Sequence, residues 1–370
     1  MTDNSAEMFP TAATSGGDEA EAISSLQQQA GGTLTSLGNR AIPLSFPTDE
    51  LALQAAREGV ALRDRSHWGC LEFRGEERLD FLQGQTTNDL KSLQPGRGCD
   101  TCVVTSTART IDLTTALATA DALLLLTSPQ RRQTLLNWFS RLIRFSRADI
   151  VDISDTTACF ELLGPESDRL VVELGGSELV GQPDASHLEV TMPDSDIRIR
   201  LVVGNGLALP GYLVTCHRVD AASVWQRIQQ QAVPMGEAAW ECLRVRQGRP
   251  MPDRELTEAF NPLEAGLWHA VSLNKGCYIG QETLARLKTY NGVKQHLWGL
   301  KLSAVVEPGT RLTLEGDRAG VVTSTLADES APFGLAYVRR KYAESGLTLQ
   351  AGESVAGELV ELPYGRRSFD

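Results

Sequence analysis

No apolar run in the 370-residue chain approaches the roughly 20 residues needed to span a bilayer. Ala122 to Leu126 is only strand-sized, so no membrane role is expected. An excess of positive charge is lacking as well. Thirty-five Lys and Arg against 47 Asp and Glu give a net charge of −12, which argues against a surface that grips nucleic acid throughout. Direct nucleic-acid binding is therefore not expected, although a local basic patch is compatible with this balance. Cysteines are too few and too scattered for a disulfide framework: there are seven, at 70, 99, 102, 159, 216, 242 and 277. An odd, dispersed set fits a reducing cytoplasm. Cys99-Asp-Thr-Cys102 is the only Cys-x-x-Cys, and a zinc site would want a second pair or nearby histidines, whereas His67 is the closest in sequence. Both cysteines read as strand residues, and no stably bound metal is expected. Residues 1–35 hold only scattered large apolar side chains and read as a disordered N-terminal tail. With no arginine before Arg40 and no apolar core after a basic start, neither a secretory signal nor a transit peptide is visible.

What is present suits a globular protein of two or three compact units, with 42% hydrophobic and 22% charged residues. A short amphipathic helix is predicted over Glu50 to Gly59, and strands over Val60 to Phe73. Gln130 to Phe145 predicts a helix with Leu135, Trp138, Leu142 and Phe145 along one side and four arginines on a solvated face. Ile197 to Val203 and Gly211 to Cys216 read as paired strands, Ala221 to Gln231 and Ala238 to Arg246 as helices. Cys70-Leu-Glu-Phe-Arg-Gly-Glu-Glu-Arg-Leu-Asp-Phe-Leu82 and Cys159-Phe-Glu-Leu-Leu-Gly-Pro-Glu-Ser-Asp-Arg-Leu-Val171 lie 89 residues apart. Each reads as strand, glycine turn and acidic helix start. Two related α+β lobes would produce this pattern, and so would chance resemblance of two strand–turn–helix units. Residues 296 to 370 give short strands between turns, the pattern of a small β-barrel.

The densest chemistry lies in Lys275-Gly-Cys-Tyr-Ile-Gly-Gln-Glu282, where a base, a thiol, two glycines, an amide and a carboxylate occupy eight positions. Gly276 and Gly280 allow turns on either side of Cys277. A helix follows from Gln281, and Lys275 and the helix N-terminus both favour a thiolate at Cys277. The ordinary alternative is a small buried thiol.

Lys-Gly-Cys-Tyr-x-Gly-Gln-Glu followed by Ala285-Arg286 resembles the signature of the YgfZ-type family. These are folate-binding relatives of the glycine-cleavage T-protein (aminomethyltransferase) that serve in iron–sulfur protein maturation. Phe81-Leu-Gln-Gly-Gln-Thr-Thr-Asn-Asp-Leu90, Leu162-Leu-Gly-Pro165, Gly211-Tyr212, Asn261-Pro-Leu-Glu-Ala-Gly266, Gly320-Val-Val-Thr-Ser324 and Gly334-Leu-Ala-Tyr-Val338 are similar to other stretches of the same superfamily. The resemblance implies an α+β, three-lobed T-protein-like fold. Its bilobal folate-binding domain would span 36–290, around a central channel, and its C-terminal β-barrel 291–370. It also implies folate contact by Trp68, Trp240 and Arg286, and a tetrahydrofolate derivative as cofactor. Cys277 and Lys275 would be the working pair, with Gly276, Tyr278, Gly280, Gln281 and Glu282 shaping the loop. The implied partners are A-type iron–sulfur carriers and [4Fe–4S] client enzymes, including those that modify tRNA.

Two departures weigh against aminomethyl transfer. Arg246, a donor-only cation, stands where the T-protein pattern has a glutamate that accepts from the pterin's amino edge. Thr127-Ser-Pro-Gln-Arg-Arg-Gln133 contains no acid where the T-protein pattern has its catalytic carboxylate. The resemblance thus implies an accessory factor with transferase-like ancestry. Two other readings stay open. One is a folate-dependent aminomethyltransferase or other C1-transfer enzyme, with Asp89 or Asp112 standing in for the acid. The other is a non-catalytic folate- or partner-binding module in which Cys277 is structural.

Overall fold

The segments 89 residues apart fold alike, and their likeness organises the molecule. A computed structural model describes residues 16–326 and 332–365. In chain order, helix α1 (Gly16–Gln29) is followed by the hairpin β1 (Thr33–Leu37) and β2 (Arg40–Ser45), α2 (Asp49–Glu58) and β3 (Ala61–Asp64). The first lobe contains β4 (Gly69–Arg74), α3 (Arg78–Gln85), β5 (Arg97–Val104), β6 (Thr110–Ala118), β7 (Ala122–Thr127), α4 (Arg132–Leu142) and β8 (Asp149–Asp152). The second lobe contains β9 (Thr157–Leu163), α5 (Ser167–Glu173), β10 (His187–Thr191), β11 (Arg198–Val203), β12 (Gly211–His217), α6 (Ala221–Ile228) and β13 (Val233–Met235). Helices α7 (Glu237–Gln247) and α8 (Gln281–Thr289) lead to the strands β14 (Gln295–Leu302), β15 (Arg311–Leu314), β16 (Asp317–Thr325), β17 (Phe333–Arg339), β18 (Thr348–Ala351) and β19 (Val355–Val360).

Strand order is β5-β6-β7-β4-β8 in the first sheet and β10-β11-β12-β9-β3-β13 in the second. The strand preceding each lobe is exchanged: β3 leads into β4 yet pairs with β9, and β8 leads into β9 yet pairs with β4. The connecting turns are equivalent atom by atom. Arg65 N–H donates to Cys159 O at 2.8 Å, and Ile153 N–H donates to Cys70 O at 3.0 Å. Ser66 Oγ accepts from Cys159 N–H at 3.0 Å, and Ser154 Oγ accepts from Cys70 N–H at 2.8 Å. A common plan, rather than chance, therefore explains the sequence similarity. Its glycines are required: Gly75 and Gly164 hold φ of +96° and +128°. A Cβ there would stand 2.5 Å from Arg147 O or 2.3 Å from Gly59 O.

Alternation along the strands assigns the cores. Leu71 and Phe73 face α4 with Leu82 and Phe139, and the matching Phe160 and Leu162 join Val224 and Trp225 in the second lobe. The opposite faces meet each other, with Cys70, Leu117 and Leu126 against Val202 and Leu213. Each such large apolar side chain contributes about 1.5–3 kcal/mol by leaving water.

Three expectations need revision. The expected tail over 1–35 lies outside the described residues as far as 15, but α1 and the start of β1 occupy its remainder. Ile23 and Leu26, one turn apart, pack on the second-lobe core, and Gln27 donates to Asp64 at 2.7 Å. Tertiary packing stabilises this helix where composition gives little sign of it. In α4 and the turn after it the buried set is Leu135, Phe139 and Ile143, whereas Phe145 is 91% exposed. Its arginines are not all solvated: Arg132 pairs with Asp152 and Asp155, and Arg131 forks onto Asp253.

Strands β14 to β19 close into a six-stranded barrel in the order β14-β17-β16-β15-β18-β19. It packs on the first lobe and α7 through Phe333, Leu335 and Tyr337 against Leu113, Val245 and Leu256. Under this contact Arg244 donates to Glu255 at 3.0 Å and Ser324 Oγ at 3.0 Å, and both charged side chains are fully buried. Thr323 and Ser324 hydroxyls donate to the other Glu255 oxygen at 2.7 and 2.6 Å. Arg244 also forks onto Glu241 at 2.6 and 2.7 Å, so it is truncation of Arg244 that leaves a buried charge, Glu255, without a charged partner. Arg244→Ala should therefore cost about 3–5 kcal/mol in urea unfolding, whereas truncating the exposed Asp317, paired with Lys341, should cost under about 1 kcal/mol.

Candidate functional site

The signature segment forms a loop leading into α8, and its base is turned inward. Lys275 is buried, and its Nζ donates to Thr86 O at 2.8 Å and to Asn88 O. Asn88 Nδ2 in turn donates to Asp100 O at 2.8 Å and His269 O at 3.1 Å. Burial lowers the Lys275 pKa to about 8, partly offset by Asp89, and the charge it carries acts on Cys99. Lys275 thus fastens the loop to the motif around Thr86–Asn88. Cys277 is the one exposed cysteine of the seven; burial raises the Cys70, Cys99 and Cys159 thiols to about 12. The two glycines differ. Gly280 holds φ +83°, and a Cβ there would meet Thr105 O at 2.8 Å, whereas a Cβ on Gly276 meets nothing within 4 Å. Tyr278 is buried beside Leu284, with the Lys275 ammonium 4.8 Å from its ring centre. Glu282 and Arg286 are exposed on α8. Gln281 begins the helix, its N–H donating to Tyr278 O at 3.2 Å.

Two clefts open in the part of the chain built by the two lobes. A cleft of about 490 Å³ lies between the lobes, with Cys99, Asp100 and Thr115 from the first and Asp184, Val202 and Leu213 from the second. Arg65, His269 and Tyr364 complete its wall. Burial alone would raise the Asp100 carboxyl. His269, 3.6 Å away, and the Thr115 hydroxyl, donating at 2.6 Å, hold it below the ordinary range instead. Arg65 is lowered to about 10 by burial, and its guanidinium lies 3.7 Å above the Trp68 ring. Arg249, 5.4 Å from the same ring, donates to Gly206 O at 2.7 Å.

A second cleft, of about 770 Å³, opens under the β1–β2 hairpin and is lined by Trp68, Trp240, Glu237 and Glu241. The two indoles meet edge to face, 6.1 Å between centroids. Arg63 covers Trp240 at 3.8 Å and is held by Glu237 at 2.7 Å. The tryptophans and the interlobe channel, joined in one expectation, are therefore spatially distinct, and a guanidinium already lies on each indole. Arg286 lines neither cleft. Arg246 also lines neither, and its guanidinium lies 5.8 Å from the Phe333 ring centre on the barrel side.

Of the two carboxylates named as stand-ins for the missing acid, Asp89 and Asp112, the fold brings Asp112 to the segment that lacks one. Asp112 on β6 is fully buried and accepts from Ser128 N–H at 3.0 Å, so an acid does reach the Thr127–Gln133 segment from the neighbouring strand. Its other oxygen has no hydrogen-bond partner among the described residues. Burial raises its pKa to about 6, against the opposing bonds from Ser128 and the charges of Arg131 and Arg249. The strand pairing that brings Asp112 beside Ser128 was the missing signal; an isolated Ile-Asp-Leu carries none. Among the described residues, no three His, Cys, Asp or Glu gather into a group able to hold a metal ion. No helix there is long and apolar enough to cross a membrane.

The GCVT N-terminal domain matches residues 23–275. The chain belongs to that family. An Arabidopsis thaliana protein named "Putative transferase At1g60990, chloroplastic" is 43% identical over 324 residues, spanning 86% of this chain and 74% of its own. The aminomethyltransferase of Rubrobacter xylanophilus is 28% identical, over 91% of each chain. The glycine cleavage system aminomethyltransferase T from Bartonella henselae superposes with a TM-score of 0.80 at 20% identity, covering 94% of this chain and 98% of that one. The fold is thus the α+β T-protein fold expected from the sequence, and the likeness to aminomethyltransferases runs through nearly the whole GCVT-family chain.

Two outcomes follow from this geometry. Under native conditions iodoacetamide should modify Cys277 first, as read by peptide mass spectrometry, with the three buried thiols, Cys70, Cys102 and Cys216, requiring denaturant. The Asp112 carboxyl titrates near 6 when folded and near 3.9 when unfolded, so between these values the folded state binds more protons and loses stability as pH rises. Asp112→Asn removes that loss. Its stability relative to the parent should climb between pH 4 and 6, by on the order of 2–3 kcal/mol, and stay level above, in paired urea titrations.

Proposed function

We propose that this GCVT-family chain is a folate-binding accessory factor of the YgfZ type, acting in iron–sulfur cluster assembly or repair. It would support [4Fe–4S] enzymes, tRNA-modifying ones among them, in a reducing cytoplasm. The observation that carries the reading is the exposed Cys277 on a loop stapled through Lys275 and Asn88 to the wall of the interlobe cleft. One thiolate supplies one ligand, and clusters ordinarily take four cysteines. Cys277 therefore acts as a transient ligand to a cluster or iron held mainly by a partner, an A-type carrier or a client enzyme.

The interlobe cleft fits a folate in size and in chemistry. Asp100 and Asp184 offer acceptors for the pterin's amino edge, Val202, Leu207 and Leu213 an apolar wall, and Arg65 a cation for the glutamate carboxylate. A reduced folate supplies a one-carbon carrier and an oxidisable pterin. In this reading Trp68 acts through Arg65, holding the guanidinium by cation–π contact, and Trp240 braces Trp68 edge to face.

A second reading, folate-dependent C1 transfer, is favoured by Asp112, whose buried carboxyl with one uncommitted oxygen supplies the acid that the Thr127–Gln133 segment lacks. A deletion strain restored with the parent, Cys277→Ala or Asp112→Asn separates the two. Cluster work predicts that methylthiolated tRNA adenosine falls on deletion, returns with the parent and does not return with Cys277→Ala. If that product never moves, while glycine-cleavage flux drops and only Asp112→Asn fails to restore it, the chain is a C1-transfer enzyme.

A further inference from the structure

Five cations line a groove beside the C-terminal end of α8. Arg109, from the turn before β6, Lys294, and the run Arg339-Arg340-Lys341 line one groove of about 1010 Å³. In a chain of net charge −12 this is a local reversal of sign. It is neutralised only in part, since the charges of Arg109 and Lys294 act on the buried Glu264 and that of Arg339 on Asp317. The lining carboxylate, Glu264, is 6% exposed and is engaged by Asn261 N–H at 3.1 Å. Lys341 meets Asp317 at 3.5 Å. The other four cations have no carboxylate in ion-pair contact among the described residues; Arg109 and Arg340 donate only to the backbone carbonyls of Ala259 and Asn291. Lys294, Arg339 and Arg340 are exposed, so their charge is offered to solvent.

The groove's place in the fold ties it to Cys277. Helix α8 starts four residues after Cys277 and ends two before Asn291, and its nine residues span about 13 Å. Leu284, fully buried, and Gly280, packed on Thr105, fix the helix to the first lobe. The thiol loop and the groove residues Asn291 to Lys294 therefore stand at opposite ends of one helix, and Arg109 reaches the groove from the turn that packs on Gly280. A partner domain of about 100 residues has a radius of gyration of about 13 Å, broad enough to cover both.

We propose that this groove docks an acidic surface segment of a partner protein and so presents that partner to Cys277, a proposal that rests on the cluster-handling role of the thiol. Carboxylates are the matching chemistry, because the guanidiniums can receive them bidentately. A compact acidic segment fits better than a nucleic acid strand. Asp317 and Glu344 adjoin Lys341 and Tyr342 and bound the cationic run on that side, so a long polyphosphate would cross like charge.

The test uses the full chain with fluorescein-labelled hexaglutamate, hexaglutamine and a 12-nucleotide single-stranded RNA as probes, read by anisotropy at low and high salt. Hexaglutamate should bind, weaken with salt, and bind at least tenfold more weakly to the double variant Lys294→Glu/Arg339→Glu. Lys294→Gln/Arg339→Gln serves as the milder control, with thermal melts confirming the fold of both. Hexaglutamate carrying a maleimide on a ten-residue Gly-Ser linker, whose mean span is about 18 Å, should label Cys277 roughly tenfold faster than its hexaglutamine counterpart. That advantage should vanish in the double variant. Equal binding of the two peptides, tighter binding of RNA, or labelling indifferent to the variant overturns the proposal. If instead these results hold while Cys277→Ala leaves methylthiolated tRNA unchanged in cells, the docking groove stands and the cluster role falls.

Discussion

Arg244 and Glu255 are both fully buried, and the placement of the site passes through their contact. Arg244 sits in the last turn of α7, whose first turn carries Glu237 and, one residue short of the next turn, Trp240. Beyond Gly248, in the left-handed region at φ +86°, the chain returns past Arg249, which reaches Gly206 and Tyr364 at the interlobe cleft. Glu255 closes that return, accepting from Met251 N–H at 3.1 Å and from two barrel hydroxyls. Two ions taken from water cost several kcal/mol each, and the pair is tolerated because every polar atom of the Glu255 carboxylate and most of the guanidinium are hydrogen-bonded. The result is a fixed joint between the lobes, α7 and the barrel. Such a joint holds Arg249 against Trp68 as rigidly as a core residue.

Much of this fold was legible in the sequence because it is written in local pattern. The strand–glycine–helix units beginning at Cys70 and Cys159 share their alternation, and both glycines occupy positive φ for the same steric reason. The barrel was legible from its spaced turns. Contacts made across the fold were not. Nothing near Asp112 in sequence signals that Ser128 will stand beside it, since only the pairing of β6 with β7 brings them together. The inward turn of Lys275 was equally hidden, because its partners are backbone carbonyls of Thr86 and Asn88, nearly 190 residues away. Proximity in sequence to Cys277 suggested an activating base, whereas the fold uses the lysine as an anchor.

The pseudo-symmetry also shows where the two halves diverge. Asp64-Arg65-Ser66 and Asp152-Ile153-Ser154 make the same turn with the same bonds: Asp64 accepts from Ser66 N–H at 2.9 Å, and Asp152 accepts from Ser154 N–H at 3.0 Å. Only the central residue differs. Ile153 packs against the apolar layer between the sheets, while Arg65 brings a guanidinium to the interlobe cleft. A symmetric frame makes a symmetric seam, and a seam lined by apolar residues alone would simply close as core. The cation at one of the two equivalent turns resists that closure, because burying it without water or a counter-ion is costly. Its lowered pKa reflects the same burial. Divergence at a single turn position thus puts a cation in the cleft wall where its counterpart in the other half is an aliphatic side chain in the apolar layer.

This asymmetry orders the rest of the site. Once Arg65 occupies the seam, Trp68 three residues later must offer it a face, and Trp240 must brace that indole from α7. Across the seam, Asp100 is held by Thr115 and His269, whose backbone carbonyl is bonded by Asn88. Asn88 also offers its carbonyl to Lys275, which places the loop bearing Cys277. A chain of direct contacts therefore leads from the cleft to the only exposed thiol, with a buried ammonium as its last link. The carbonyls of Thr86 and Asn88 thus hold the one charged anchor of the thiol loop among the described residues, and Asn88 joins that anchor to the cleft wall through Asp100 and His269.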